Sequence, residues 1–343
     1  MGGLNRRMMT LVVALVPIVA FGLLLSAVTV PFVSLGPGPT FNTLGEVEGK
    51  EVVDIKGTEV KPTSGNLNMT TVSQSDGLTL GQALRLWMSG TEQLVPRDLV
   101  YPPDKSKDDI DKENAGDFKQ SEDSAEYAAL GYLKYPRAVT VQGVTDGGPS
   151  AGKLEDGDAI DLVDDKPVAN LDEFTALLKA TKPGDQLVVD YRRKNGELGT
   201  TTITLGKNPD RDYGFLGVGV VDAPWAPFTI DFNLANIGGP SAGLMFSLAV
   251  IDKLTTGDLN GGKFIAGTGT ITVDGKVGPI GGITHKIYAA KEAGATAFMV
   301  PAENCDEANS AHEDGLQLIK VENLTGAVDA LKTYSSGGEP AHC

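Results

Sequence analysis

Near its C-terminus the sequence reads IGGPSAG at residues 237–243 and TGTITVDGKVGPIGGITHKIYAA at residues 268–290. In the first stretch, paired glycines permit a tight backbone and Pro240 suits the first position of a helix, so Ser241 is predicted to lie in a first helical turn. Free N–H groups and the positive end of the helix dipole meet there. Such a position stabilises the negative charge that develops on oxygen during acyl transfer, which makes Ser241 a candidate nucleophile.

The second stretch combines a hairpin with the start of a helix. Asp274-Gly275 predicts a turn between strands at 268–273 and 277–280, and Thr284 is predicted to cap the helix that follows. Lys286 then falls in the first helical turn, where the dipole and partial burial both disfavour an ammonium group. Both effects lower the pKa of Lys286 toward the value that a general base for a serine hydroxyl requires.

The string GGPSAG occurs twice, at 147–152 and at 238–243, so the string alone does not identify a nucleophile. After Ser150 comes the polar turn KLEDGD, whereas after Ser241 comes a long apolar run. This difference in context assigns Ser150 to a structural role and keeps Ser241 as the reactive serine.

Residues 127–206 have the pattern of a separate small domain. Strands are predicted at Ala138–Val144 and Ala159–Val163, and a helix is predicted at Leu171–Ala180 behind the N-cap Asn170. A hairpin with arms near 186–192 and 200–205 follows.

Within this domain, GPSAGKLEDGDAIDLVDDKPV at 148–168 resembles the PDZ pattern. PDZ domains bind extended peptides by adding a strand beside a helix, and a plain spacer is the alternative role. The resemblance implies a groove between the first strand and the helix. Its predicted residues are Ala138, Val139, Thr140, Val141, Phe174, Leu177 and Leu178.

The two C-terminal stretches, followed by AAKEAG at 289–294 and PAEN at 301–304, resemble in this order the proteolytic domain of the Lon proteases. The resemblance covers most of residues 207–335. It implies a dyad of Ser241 as nucleophile and Lys286 as general base, with Thr268 as the threonine that hydrogen-bonds the lysine. It also implies a homo-oligomer and oxyanion donors among the backbone amides of Gly239, Ser241 and Ala242.

The N-terminal region has no charged residue between Arg7 and Glu46. Leu11–Val30 is apolar and, as a helix, spans about 30 Å, the thickness of a bilayer core. We interpret it as an uncleaved membrane anchor, with a cleaved signal peptide as the alternative. Arg6 and Arg7 precede it, so the N-terminus is predicted to be cytoplasmic and the bulk of the chain extracytoplasmic, which gives a single-pass protein of the cell membrane.

With this anchor and the PDZ segment, the chain resembles the membrane-anchored, PDZ-containing Lon-like serine peptidases of bacteria. The predicted class is α+β. From 104 to 126 there are nine acidic and four basic residues, a composition typical of a solvated linker. The predicted divisions are a cytoplasmic tail (1–8), a transmembrane helix (9–31), an extracytoplasmic membrane-proximal region with an acidic linker (32–126), a PDZ-like domain (127–206), a Lon-like proteolytic domain (207–335) and a tail (336–343).

Composition limits the partners. The chain has 45 acidic and 29 basic residues and a formal charge of −16, which argues against nucleic-acid binding. No Cys/His cluster has metal-ligand spacing, so no metal or other cofactor is expected. The string 257–263 resembles a P-loop, but Phe264 replaces the Ser/Thr that holds Mg²⁺, so ATP is not expected either. An extracytoplasmic location permits, without requiring, a disulfide between Cys305 and Cys343.

The predicted function is ATP-independent cleavage of flexible or unfolded extracytoplasmic proteins, with the PDZ domain presenting the protein or peptide substrate. Two alternatives remain. A non-catalytic PDZ scaffold would have the same domains without turnover. An α/β-hydrolase-like esterase would need a histidine after Ser241, and the available ones are His285, His312 and His342.

Overall fold

The computed structural model describes residues 6–210, 212–235, 237–311 and 314–343, and confirms the predicted α+β class. The helices are α1 (Arg6–Ala27), α2 (Leu80–Ser89), α3 (Arg97–Val100), α4 (Lys107–Tyr132), α5 (Leu171–Lys179), α6 (Gly243–Leu254), α7 (Ile283–Glu292), α8 (Cys305–Ser310) and α9 (Leu324–Ser335).

The strands are β1 (Phe32–Asn42), β2 (Glu46–Val47), β3 (Lys50–Glu51), β4 (Val53–Lys56), β5 (Asn66–Ser75), β6 (Gln93–Pro96), β7 (Arg137–Val144), β8 (Ala159–Val163), β9 (Lys166–Pro167), β10 (Gln186–Arg192), β11 (Leu198–Thr204), β12 (Val218–Pro224), β13 (Thr229–Phe232), β14 (Phe264–Gly267), β15 (Thr270–Ile271), β16 (Val277–Gly278), β17 (Ala297–Pro301) and β18 (Gln317–Val321).

The main sheet has the strand order β18-β17-β14-β5-β1-β6. The strand β5 pairs in parallel with β14, Leu67 lying opposite Ile265, and antiparallel with β1. Leu67 and Met69 of β5 pack in the same core as the apolar residues of α6. The predicted separation of region 32–126 from region 207–335 is therefore wrong, because strands from both regions build one sheet over one core.

The helix α4 occupies most of the segment for which the composition predicted a solvated linker, and this prediction is also wrong. Ser106 caps the helix, accepting a hydrogen bond from the backbone N of Asp109 at 3.1 Å. One side of α4 packs on α6, where Phe118 meets Phe246 edge to face with ring centroids 5.8 Å apart. Within the predicted linker the buried residues of α4 are Phe118, Ser121, Glu122 and Ala125, so only one large apolar side chain marks the buried face.

A second sheet, of order β11-β10-β8-β7-β12, forms the core of the predicted PDZ segment. The strands β7, β8, β10 and β11, the helix α5 and its cap by Asn170 lie within two residues of where the sequence predicted them, whereas β12 was not predicted. The segment leaves the rest of the chain at Pro136 and returns at Trp225, whose backbone N donates to the Pro136 carbonyl at 2.8 Å. The second sheet is therefore an insertion into the unit that contains the main sheet.

The helix α1 is the apolar N-terminal segment. Its stretch Met8–Ala27 is long and apolar enough to cross a membrane, and none of it is buried against the protein. Membrane anchors and signal sequences share these properties. The side chains of Arg6 and Arg7, which determined the predicted orientation, lie outside the described part of the structure.

Candidate active site

A cavity of about 680 Å³ lies over the end of the main sheet and contains both Ser241 and Lys286 in its wall. Met69 of β5 and Phe118 of α4 also line it, as does the turn at Pro279–Gly281. The wall thus combines residues from the two regions that the sequence had separated.

Ser241 lies just before α6, in a turn, so the prediction that it lies inside the first helical turn is wrong. The helix begins at Gly243 and Ala242 is its N-cap. Gly239 has a φ of 85°, which favours glycine, and this conformation bends the chain ahead of the serine. The amides at the start of α6 still make this a site that favours negative charge.

The helix α4 holds the turn from the side. The backbone N of Gly239 donates to the carbonyl of Asn114 at 2.9 Å, and Ser121 Oγ donates to the carbonyl of Pro240 at 3.0 Å. Ser121 is 4% exposed. Sequence reasoning missed both of these residues because they lie in the segment interpreted as a linker, where no local signal marks them.

Lys286 reaches the serine from α7. Its Nζ lies 2.8 Å from Ser241 Oγ and 2.9 Å from Thr268 Oγ1, and Thr268 Oγ1 in turn donates to the Ser241 carbonyl at 3.1 Å. The Lys286 side chain thus contacts the side chains of both Ser241 and Thr268, and Thr268 is tied to the backbone of Ser241. The helix α7 begins after Gly282, whose φ is 68°, so the predicted capping by Thr284 is wrong.

Lys286 is 3% exposed, and this burial lowers its pKa from 10.5 to about 7. A low-dielectric environment disfavours the ammonium form because it removes the charge from water. At neutral pH a large fraction of Lys286 is consequently a neutral amine that is able to accept a proton.

The histidines are arranged differently. His285 is buried, and its Nε2 has no hydrogen-bond partner among the residues that the structure describes. His342 lies in the C-terminal tail, where it bridges to Ile319, and His312 lies outside the described residues. The contact to Ser241 Oγ comes from Lys286. This arrangement favours a Ser–Lys pair over the histidine-dependent esterase.

The prediction of Gly239 as an oxyanion donor is wrong, because its N–H already donates a hydrogen bond to the Asn114 carbonyl. Ser241 and Ala242 both line the cavity, so their amides remain candidates. Ser150, in the second copy of GGPSAG, is fully buried and its Oγ donates to the Leu216 carbonyl at 2.6 Å. This geometry agrees with the structural role predicted for Ser150.

The predicted peptide groove beside Ala138, Val139, Thr140 and Val141 is wrong. These side chains are buried, and their strand β7 pairs with β8 on one side and with β12 on the other. An interior strand has no free edge to which a peptide can be added.

The strand next to α5 is β12, and no described strand pairs with its second edge. Leu177 and Leu178 of α5 are partly buried against the same core as Val218 and Val220 of β12, whereas Phe174 is fully buried. The strand β12 begins after residue 206, beyond the predicted end of the domain, which explains why the groove was assigned to the wrong strand.

Comparison with known proteins identifies two families. Residues 236–333 match the Lon protease (S16) C-terminal proteolytic domain, and residues 112–205 match the PDZ domain. The Lon protease of Roseiflexus castenholzii is 40% identical over 83 residues, which is 24% of this chain and 10% of that protein. Lon protease 2 of Bacillus subtilis is 27% identical over 206 residues, which is 57% of this chain and 33% of that protein.

A solved PDZ domain of an SdrC-like protein from Listeria monocytogenes is 26% identical, with a TM-score of 0.23, and its match covers 24% of this chain and 87% of that domain. The chain spans a third or less of the length of the two Lon relatives. The two family matches overlap the segments 127–206 and 207–335 in which the sequence placed the two resemblances. The chain thus carries a PDZ domain followed by a Lon-type C-terminal proteolytic domain.

Proposed function

We propose that the protein is an ATP-independent serine endopeptidase in which Ser241 and Lys286 form the catalytic dyad. The observation that carries this proposal is the 2.8 Å contact between Lys286 Nζ and Ser241 Oγ in the wall of an open cavity. The Lon-type proteolytic domain supports a serine peptidase, and the lowered pKa of Lys286 supports its role as the base.

The mechanism begins with Lys286 as a neutral amine. Its lone pair accepts the Ser241 hydroxyl proton while one of its N–H groups donates to Thr268 Oγ1, and Thr268 donates to the Ser241 carbonyl. The hydrogen bond to Thr268 orients the amine so that its lone pair can face Ser241 Oγ. Thr268 is thus a positioning residue for the amine.

Attack by Ser241 Oγ on the scissile carbonyl carbon forms a tetrahedral oxyanion, for which the amides of Ser241 and Ala242 are the nearest candidates. The Lys286 ammonium then gives its proton to the leaving amine as the C–N bond breaks. The neutral amine then accepts a proton from water, which attacks the acyl ester carbon; the C–Oγ bond breaks, the Lys286 ammonium returns its proton to Ser241 Oγ, and the second product leaves as a carboxylic acid. The cavity wall formed by Met69 and Phe118 offers an apolar surface for a substrate side chain.

Independence from ATP is part of the proposal. The P-loop-like string 257–263 lies between the end of α6 and the start of β14, the reverse of the strand-to-helix order of a phosphate-binding loop. Without ATP-driven unfolding, the substrates are flexible or already unfolded proteins. The PDZ domain presents them, with the open edge of β12 beside α5 as the place where an extended segment adds a strand.

Location and assembly complete the proposal. The helix α1 anchors the chain in the cell membrane with its N-terminus in the cytoplasm and the remainder outside, and the protein forms a homo-oligomer. Protease added to intact, wall-stripped cells is expected to digest the outer part of the chain, and full protection would contradict this orientation. Sedimentation of the detergent-solubilised chain measures the oligomeric state, and a monomer would contradict the assembly.

The decisive experiment is casein cleavage by the full chain in detergent, without ATP. We expect Ser241→Ala, Lys286→Ala and Lys286→Arg to abolish cleavage, since a guanidinium is not a base near neutral pH. His285→Ala is the matched control on the adjacent residue and is expected to keep most of the activity. Loss of activity in His285→Ala with tolerance of Lys286→Ala would support the esterase-type site, and full activity of Ser241→Ala would refute the dyad.

A further inference from the structure

The helix α2 exposes an apolar stripe. Leu84, Trp87 and Met88 are 40%, 70% and 79% exposed, and their spacing of three and four residues puts them on one face of the helix. The side that packs on the protein is narrow and contains Ala83, which is 5% exposed. A large aromatic and a long apolar side chain in water, side by side, indicate a surface that is covered in the working protein.

The position of α2 indicates what covers it. Leu80 N donates to the Val28 carbonyl at 2.8 Å, and Val30 N donates to the Leu78 carbonyl at 2.9 Å, so α2 begins beside the last turn of α1. Gly81 packs directly against Leu25, because a Cβ at Gly81 would lie 3.0 Å from the Leu25 carbonyl oxygen. The start of α2 is thereby fixed at the end of the apolar helix.

The exposed stripe is continuous with the face of α2 that contacts α1. Gly81, Leu84 and Met88 follow each other at intervals of three and four residues, so the face that begins at α1 continues along α2. The stretch Met8–Ala27 of α1 is itself unburied. Two other exposed apolar side chains lie on neighbouring elements. Phe32 is at the start of β1, which packs against α2, and Leu99 is on α3, which packs against β1 and β6.

From this arrangement we infer that α2 lies in the interface between the membrane and water, with Leu84, Trp87 and Met88 inserted at the level of the lipid headgroups. The inference rests on the proposed anchoring by α1. Tryptophan is the side chain that membrane–water interfaces enrich, because its ring is apolar and its N–H is polar. On the other side of the helix, Gln82, Arg85 and Ser89 face water, the pattern of an amphipathic helix lying on a bilayer.

The consequence is a proteolytic domain that contacts the bilayer at two points. The strand β1 leaves α1 directly, and α2 packs on α1, β1 and β6, so the interfacial helix and the main sheet form one packed unit. The domain is then held in a defined orientation on the membrane surface, whereas α1 alone would leave it free to rotate about its exit segment.

Intrinsic fluorescence tests the inference, because the chain contains only two tryptophans. Trp225 is 2% exposed and its Nε1 donates to the Gly157 carbonyl at 2.9 Å, so it is shielded within the protein. The full chain is reconstituted in phosphatidylcholine vesicles with and without bromine on the acyl chains near the headgroup. The difference between wild type and Trp87→Phe isolates the emission of Trp87.

We expect bromolipid to reduce the Trp87 emission about twofold, since a ring inserted roughly 5–10 Å into the boundary lies within reach of the bromine. The variant Trp87→Phe/Ser89→Trp is the matched control. It moves the indole about 200° around the helix to the polar face, and its emission is expected to be quenched weakly. Trp225 alone, in Trp87→Phe, is expected to be unaffected.

Flotation of the vesicles separates the possible failures. A chain that floats with the vesicles but whose Trp87 is not quenched contradicts the interfacial position and leaves the anchor intact. A blue-shifted, unquenched Trp87 would indicate that a second copy of the chain covers the stripe. A chain that does not float contradicts the anchor and the interfacial helix together, whereas casein cleavage in detergent remains an independent test of the peptidase.

Discussion

Lys286 combines two properties that usually exclude each other, a basic group and almost complete burial. Its surroundings remove the ammonium from water, and the two oxygens within 3 Å of Nζ are hydroxyl groups, which provide hydrogen bonds without a compensating negative charge. The neutral form is therefore favoured at a pH where an exposed lysine would be fully charged. Burial disfavours the ammonium form of Lys286, and this effect suits the residue to the proposed role of general base.

The pH dependence of cleavage follows from this shift. With the pKa of Lys286 near 7, the protonated, inactive form dominates below that value, so kcat/KM is expected to fall about tenfold per pH unit below pH 6. Above pH 8 it is expected to reach a plateau. The measurement is kcat/KM on a fluorogenic peptide from pH 5 to 10, and a profile that is flat throughout this range would show that Lys286 is not the base.

At the level of elements, the helix α4 contacts both domains and supports the turn that precedes Ser241. It carries Asn114 and Ser121, which hold the turn before Ser241, and it packs on α6 and contacts β12 of the PDZ domain. Ser247 of α6 returns a hydrogen bond to the carbonyl of Ala125 at 3.2 Å. The position of Ser241, the proposed nucleophile, therefore depends on a helix that comes long before it in the chain.

Removing one of these bonds is expected to loosen the turn. Ser121→Ala removes the donor of a partly buried hydrogen bond to the Pro240 carbonyl, which is expected to lower the free energy of unfolding by about 0.5–1.5 kcal/mol. It is also expected to lower kcat several-fold, because Ser241 loses part of its support. The control is Ser124→Ala on the same helix, which is expected to behave like wild type in urea unfolding and peptide turnover. If the two variants behave alike, the hydrogen bond from α4 does not support the position of Ser241.

The C-terminal tail is held by a disulfide between Cys305 of α8 and Cys343, and by a hydrogen bond from Lys320 N to the Ala341 carbonyl at 2.9 Å. The disulfide closes a loop with a sequence separation of 38 residues. By chain entropy such a loop contributes about 4 kcal/mol to the free energy of unfolding.

We expect the protein, denatured without reductant, to present no thiol to an alkylating agent. Cys343→Ser is expected to lower the free energy of unfolding by up to about 4 kcal/mol while casein cleavage is retained, because neither cysteine lines the cavity. Two alkylated cysteines in the unreduced protein would contradict the pairing.

On the scale of the whole molecule, the proteolytic unit is discontinuous in sequence. Its main sheet takes β1, β5 and β6 from before the PDZ domain and β14, β17 and β18 from after it. The inserted domain begins and ends at neighbouring points, since Trp225 N and the Pro136 carbonyl are 2.8 Å apart. An insertion with adjacent ends leaves the host sheet intact.

This organisation predicts two opposite results from two deletions. Replacing residues 138–223 by a short Gly/Ser linker is expected to leave a folded protein that cleaves casein within several-fold of the wild-type rate. Deleting residues 32–126 is expected to give no folded protein, because β14 loses its partner β5 and α6 loses the cover of α4. Circular dichroism and casein cleavage measure both outcomes, and a folded product of the second deletion would contradict the shared sheet.

Much of this protein was predictable from the sequence because the relevant signals are local. Apolar alternation, a turn and the cap Asn170 predicted β7, β8, β10, β11 and α5 of the PDZ segment, and the resemblance to the Lon proteolytic domain implied that Ser241, Thr268 and Lys286 belong together. The structure places the Lys286 amine within hydrogen-bond distance of the side chains of Ser241 and Thr268, and Thr268 donates to the Ser241 backbone carbonyl. The prediction of the strands and helix depends on neighbouring residues, whereas the grouping of the three site residues depends on the resemblance of their motifs to a known family.

Only the tertiary structure decided the rest. The pairing of β5 with β14 joins residues far apart in sequence, and its stability comes from a core that no local pattern encodes. Up to residue 126 the helix α4 has Phe118 as its one large apolar buried residue, so its composition looks polar, and its burial is decided by packing against α6. Long-range contacts also decide that the Gly239 amide is hydrogen-bonded to Asn114 and that β12 is an edge strand. The sequence thus determined the chemistry of the groups, whereas long-range packing decided which of them are brought together.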